Sequence, residues 1–204
     1  MAKFPDPPAS LTIPPTAVSL PAGTLLWRVY AVGGSHPGTW NGFRFWGPTN
    51  SRFDHHDLPA KTQLKGIFYA ARSPLICLAE YFQATRVIDR TSNSPWLVGF
   101  ETGRELSLLD LTGTWPTEAG ASMAINSGPR PRARKWSRAI YSAYPAVEGL
   151  LYSSSMHANQ PSIALYERGG GALPSAPIFH RALSDPSLLS RLNAAAGTLG
   201  YGLI

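Results

Sequence analysis

The stretch Thr24-Leu-Leu-Trp-Arg-Val-Tyr-Ala-Val32 is apolar throughout except for Arg28, and Gly23 and Gly33-Gly34 bound it. β-Branched and aromatic residues between glycine turns predict a buried strand. Arg28 is the only charged side chain between Pro7 and Phe43. A guanidinium keeps its proton and is rarely buried without a partner, so something anionic is expected to meet it. A second isolated charge, Glu80, stands in an equally apolar setting. Two lone opposite charges in apolar elements indicate either a structural ion pair or a polar ligand pocket.

The helix around Glu80 sharpens that choice. Ser73-Pro74 supplies an N-cap and a favoured first helical residue, which predicts a helix from there to about Thr85. Leu75, Leu78, Ala79 and Phe82 recur at helical spacing and form one core-facing stripe. Glu80 falls almost opposite the stripe, beside Ile76, Cys77 and Ala84, and is the helix's single charge. A solvent face normally carries several charges, so the second face is expected to be covered or to line a pocket. The plainer alternative is a surface Glu sharing water with Tyr81, Gln83 and Thr85.

Outward from these two elements, further strands are expected at 66–71, 96–101, 106–111, 149–154, 162–167 and 179–183. A basic helix is expected at about 132–143. Ser184-Asp-Pro186 caps a last helix with Leu188, Leu189 and Leu192 on its apolar face and Gly197 near its end. Strands and helices do not alternate regularly, so the fold class is α+β, a single mixed α/β domain. Residues 1–23, with Pro5, Pro7, Pro8, Pro14, Pro15 and Pro21, read as an extended arm ahead of a domain spanning 24–204. Strand alternation puts Arg28 on one face with Leu26 and Tyr30, Tyr69 with Ile67 and Ala71, and Ser154 with Leu150 and Tyr152. A turn opening at Ser153 is the alternative for the Ser153-Ser154-Ser155 run.

Composition bounds the class of function. The 204 residues carry a net charge of +6, which favours anionic ligands without choosing among them. Charged residues are only 15%, leaving a lightly charged surface that a partner can cover. The single cysteine, Cys77, excludes an intrachain disulfide framework; lying within a helix and outside any Cys/His pattern, it is expected to be inert. No apolar run approaches a membrane span, and the first residues lack a secretion signal's apolar region, so a cytoplasmic setting is expected.

Asp54-His-His-Asp57 resembles a metal cluster in composition only, because four adjacent residues cannot converge on one ion. No metal is expected. His36, His157 and His180 stand alone and are expected to be structural or exposed. Arg130, Arg132, Arg134, Lys135 and Arg138 form the one basic cluster, with Trp136 inside it. Nucleic-acid binding, a solvated face, and docking to an acidic partner or to ligand phosphates are its three readings. Trp136 shares an apolar helical stripe with Ala139, Ile140 and Ala143, which favours a core position. No Gly-x-Gly-x-x-Gly occurs, so Rossmann-type hydride transfer has no support.

In order along the chain stand Arg28 in Trp-Arg-Val-Tyr, Arg52 in Ser-Arg-Phe-Asp, Tyr69-Ala-Ala followed by Glu80, and Gly149-Leu-Leu-Tyr-Ser-Ser154. From about Thr24 to Glu167 the chain thereby resembles the RES-domain family, toxins of bacterial toxin–antitoxin pairs with an ADP-ribosyltransferase-like core. The resemblance implies cleavage of NAD at the nicotinamide–ribose bond, with water, phosphate or a protein accepting the ADP-ribose. NAD is then substrate rather than cofactor. It also implies that Arg28, Arg52, Tyr69, Glu80 and Ser154 (or its neighbour Ser155) line the dinucleotide site. The implied partner is an Xre-class helix-turn-helix antitoxin covering the entrance, with no direct nucleic-acid contact by this chain. Two departures from the family pattern are Ser51, where Gly is usual, and His55, where Pro is common.

The chemistry suits these residue types. Loss of nicotinamide leaves an oxocarbenium-like ribose, which an adjacent carboxylate stabilises most strongly in an apolar surround. A pyrophosphate is better gripped by Arg forks than by Lys, and Arg28 and Arg52 suit that role. Tyr69 offers an aromatic face and Ser154 a hydroxyl.

Overall fold

The computed structural model describes residues 3–204. Among the described residues eleven strands and four α-helices follow in chain order. The first part contains β1 (Ala17–Leu20), β2 (Leu25–Ala31), β3 (Arg44–Gly47), β4 (Lys61–Ala71), α1 (Pro74–Tyr81) and β5 (Val87–Ile88). Then come β6 (Pro95–Glu101), β7 (Leu106–Asp110), α2 (Trp115–Glu118), α3 (Arg130–Ala143), β8 (Gly149–Ser153) and β9 (Pro161–Tyr166). The chain ends with β10 (Phe179–Ala182), α4 (Leu189–Leu199) and β11 (Gly202–Leu203).

Nine strands make one sheet in the order β1-β7-β8-β9-β4-β2-β6-β10, with β3 paired to β4 beside this path. Only β7 and β8 run parallel within it. The mixed, mostly antiparallel architecture is the α+β class that the irregular order of elements indicated. β2 pairs with β6 at every position from Leu25 to Ala31, yet meets β4 only at Trp27–Ala71. That thin seam between β2 and β4 is where the cavity opens.

β2 obeys the alternation expected of it. Leu26 and Tyr30 pack with Phe68, Phe100 and Val98 on one side, while Val29 packs with α1 and α4 residues on the other. α3 lays Ala133, Trp136 and Ile140 against Phe53, Leu150 and Tyr166 on a third cluster, so Trp136 is core.

Several expectations need correction. The Pro-rich arm is not free of regular structure: Ala17–Leu20 pairs antiparallel with β7. Upstream, Phe4 is buried, and the Trp136 and Trp115 indoles donate to the carbonyls of Pro5 and Pro14 at 2.9 and 3.2 Å. The arm stays extended because of its prolines, and buried indole N–H groups hold it down. Residues 1–2 of it lie outside the described residues. α1 ends at Tyr81 rather than near Thr85, and Arg86 then turns the chain through the left-handed region at φ 53°. α3 begins at Arg130, two residues early, and β8 stops at Ser153, still paired with Pro161, so the strand ends one residue short of the expected 154 and the turn opens beyond Ser153. In the last helix Leu189 is exposed, and Gly200 at φ 65°, rather than Gly197, closes the end.

Candidate active site

α1 brings Glu80 to the seam between β2 and β4. The Ser73 hydroxyl caps the helix by accepting from the Ile76 N–H at 3.4 Å. Ile76, Cys77, Leu78 and Ala79 are all buried, whereas the expected stripe residue Leu75 is only half-buried. The helix is thus covered on more than one side, as its lack of charge requires, and Glu80 is half-buried.

Two side chains meet its carboxylate. Ser154 Oγ donates to Oε1 at 2.5 Å, and Gln83 Nε2 lies 3.5 Å from Oε2. Burial pushes the Glu80 carboxyl above its ordinary value; the Ser154 bond and the Arg52 and Arg130 charges oppose this without cancelling it. Arg28 is not among the cations acting on Glu80, and among the described residues the two form no ion pair. The structural ion-pair alternative therefore does not hold, because the two charges line one hollow instead of touching.

That hollow is a cavity of about 480 Å³, within the usual range for small-molecule sites. Arg28 and Val29 of β2, Tyr69 to Ala71 of β4, Cys77, Glu80 and Gln83 from α1 and its end, and Arg52 and Arg130 line it. Arg28 lies over the Phe68 ring at 4.0 Å, and its Nη1 donates to the Gly42 carbonyl at 3.1 Å. Burial pushes this guanidinium down to about 10, with Arg44 adding to the effect and Tyr30 opposing it, so Arg28 stays charged at neutral pH.

Tyr69 presents its ring to the cavity while its hydroxyl is already engaged. It accepts from the Phe53 N–H at 3.0 Å and donates to Asp54 Oδ1 at 3.3 Å. Ser154 is fully buried behind Glu80, whereas Ser155 is exposed and lies on the cavity wall. The serine that steadies the acid and the serine that lines the cavity are thus adjacent residues.

The model of the RES domain matches residues 25–184, most of the chain. This chain belongs to the RES domain family. A chain of the M. tuberculosis MbcT–MbcA toxin–antitoxin complex, known from its crystal structure, shares the fold. The two align with a TM-score of 0.56 at 17% identity, over 86% of this chain and 92% of that one. No curated protein sequence matches this chain.

In this RES domain the Asp54-His-His-Asp57 run disperses. Asp54 pairs with Arg44 at 2.5 Å and accepts from Thr49 N–H and Oγ–H at 2.7 Å. His55 is fully buried against Tyr141 and Tyr166, 3.4 Å from Glu167 Oε2, and Asp57 meets Lys65 at 2.8 Å. Burial lowers the His55 pKa despite Glu167, which favours the neutral ring. Among the described residues no group of three metal-capable side chains converges. Asp54 does serve the site indirectly, by tying down the 49–52 segment that carries Arg52.

The basic cluster divides too. Arg132 and Lys135 reach Asp6 at 3.2 and 2.5 Å, and Arg138 Nη1 donates to the His56 carbonyl at 3.4 Å. Arg130 alone of the five lines the cavity. Cys77 also lines it, but its thiol lies 2.9 Å from the Trp27 carbonyl and burial pushes its pKa up, so it stays protonated. His180 is not idle: its Nε2 and the Tyr30 hydroxyl lie 2.5 Å apart. Sequence reasoning missed Gln83 and Asn126 as cavity residues, and placed Arg130 only within the basic cluster, one of whose readings was docking to ligand phosphates. Arg130 had a signal, since a cation at a helix start runs against the helix dipole.

Among the described residues no helix is long and apolar enough to cross a membrane.

Proposed function

We propose that this RES domain cleaves NAD at the nicotinamide–ribose bond. The observation that carries the reading is Glu80: a half-buried carboxylate, fixed by Ser154 and open to a cavity whose other charged side chains are guanidiniums. A dinucleotide brings phosphate charge for the guanidiniums that line the cavity and a cationic ring to be expelled. As nicotinamide leaves, positive charge spreads over the ribose, and Glu80 stabilises it in surroundings of low dielectric. The Tyr69 ring offers a stacking face for nicotinamide or adenine. The bond electrons leave with the neutral nicotinamide, and the acceptor's oxygen bonds to the ribose carbon, an O–H acceptor losing its proton to solvent.

We further infer that the protein is the toxin of a toxin–antitoxin pair and that an Xre-class helix-turn-helix antitoxin covers the cavity entrance. Its family, and its likeness in fold to a chain of the MbcT–MbcA complex, support this. The test is incubation of the purified chain with NAD, resolving nicotinamide, ADP-ribose and ADP-ribose phosphate. Nicotinamide release is expected. Intact NAD after prolonged incubation of folded, antitoxin-free protein contradicts the proposal. Label transferred to protein instead of to free products identifies a protein ADP-ribosyltransferase.

A further inference from the structure

Arg130 has no part in that cleavage step, yet its placement is costly. It is the first residue of α3, where the positive end of the helix dipole repels a cation, and the first turn carries no acidic side chain to offset it. Arg132 and Lys135, its neighbours in the basic run, share the Asp6 carboxylate. Among the described residues Arg130 has no carboxylate within ion-pair reach; its Nη2 instead donates to the neutral Gln83 Oε1 at 2.5 Å. Arg52 is close enough that the Arg130 charge weighs on it, and its own Nη1 donates to the neutral Gly128 carbonyl at 2.6 Å. Two forks that repel each other therefore line one cavity, each hydrogen-bonded to a neutral oxygen, and the single Glu80 carboxylate is shared between them. A local conflict of this kind is tolerated where a ligand relieves it.

Gln83 extends the arrangement. Because its Oε1 accepts from Arg130, its amide N–H₂ must point the other way. There Nε2 donates to the Glu80 main-chain carbonyl at 2.7 Å and faces Glu80 Oε2 at 3.5 Å. Arg130 thus fixes which end of the amide the carboxylate meets.

We propose that Arg52 and Arg130 form a clamp for the pyrophosphate of a nucleoside diphosphate, and that Gln83 is a positioning residue linking the clamp to Glu80. Arg28, which the sequence paired with Arg52, lies apart with Phe68 and the Gly42 carbonyl. The anion clamp stands without the NAD-cleaving reading; the part played by Gln83 in turnover rests on it.

The clamp is tested by calorimetric titration of ADP into the full chain, wild type against Arg130→Gln, Arg130→Lys and Lys135→Gln, each checked by its thermal melt. Arg130→Gln is expected to weaken ADP binding by about tenfold or more and to make it less sensitive to salt. Arg130→Lys, which keeps the charge without the fork, falls between, and Lys135→Gln binds as wild type. Absence of ADP binding to the wild type, or wild-type affinity in either Arg130 variant, overturns the clamp. For Gln83, the Gln83→Leu variant is expected to lose kcat for NAD by a larger factor than it loses ADP affinity. Gln83→Glu sets a second carboxylate beside Glu80 and is expected to move the acid limb of the kcat/KM profile to higher pH. Unchanged kcat in Gln83→Leu, or an unmoved limb in Gln83→Glu, overturns the positioning role. Wild-type protein that binds ADP through Arg130 but releases no nicotinamide from NAD separates the two proposals, leaving the clamp and removing the cleavage.

Discussion

Glu80 serves two opposed demands. Chemistry needs it ionised, while burial favours its neutral form and holds its carboxyl above the ordinary value near about 4.3. Between the unfolded value and the raised folded value the native state binds more protons than the unfolded chain. The stability this contributes is fully present below the unfolded value and is lost as pH rises through the folded one. Glu80→Gln is therefore expected to melt higher than wild type at neutral pH, with the gap closing on acidification; a lower neutral-pH melt contradicts this. The kcat/KM profile for NAD should fall on its acid side at a pH above that of an ordinary glutamate. Ser154→Ala removes the hydroxyl held at Oε1. A hydrogen bond to a charged group contributes about 1.5–3 kcal/mol, so activity at neutral pH should drop about ten- to a hundredfold and the acid limb should move further up. An unmoved limb counts against the contact. At this scale the sequence was informative: Arg28 and Glu80 stood out because nothing charged surrounds them. The exchange of roles between Ser154 and Ser155 was not legible, because it depends on where β8 releases the chain into its turn.

At the scale of elements, β2 and α1 were readable from hydrophobic pattern, since burial on both faces leaves an unmistakable shortage of charge. The N-terminal segment was not. Its prolines hide a strand, and its anchors, the Trp136 and Trp115 indoles, lie more than a hundred residues away in sequence. Phe4 is 4% exposed and packs in the cluster that contains Trp136. Phe4→Ala is accordingly expected to cost about 3–5 kcal/mol in chemical denaturation, a loss that a detached arm would not show. Lys135→Gln, by contrast, breaks an exposed pair with Asp6 and should cost no more than about 1 kcal/mol. The basic helix illustrates the same limit. Its five cations read as one patch along the sequence, whereas the fold sends Arg132 and Lys135 to the arm and Arg130 to the cavity.

Across the whole molecule the site arises from convergence. β2 and β4 share one register position, α1 closes over the gap, the 49–52 segment brings Arg52, and the start of α3 brings Arg130. Each contributor is far from the others in sequence, so pattern reading located the lone charges and the family resemblance supplied Arg52, but neither placed Arg130 beside Glu80. The pairing of Arg28 with Glu80 gave way to Arg52 and Arg130 for that reason. The folded chain thereby presents a concave surface in which one acid and three guanidiniums line the same cavity. The most direct trial of its purpose is the rate of nicotinamide release from NAD by wild type and Glu80→Gln, compared at neutral pH with both proteins shown folded. A loss of about a hundredfold or more in kcat, with ADP affinity retained, is the predicted result; turnover by Glu80→Gln at the wild-type rate contradicts the account.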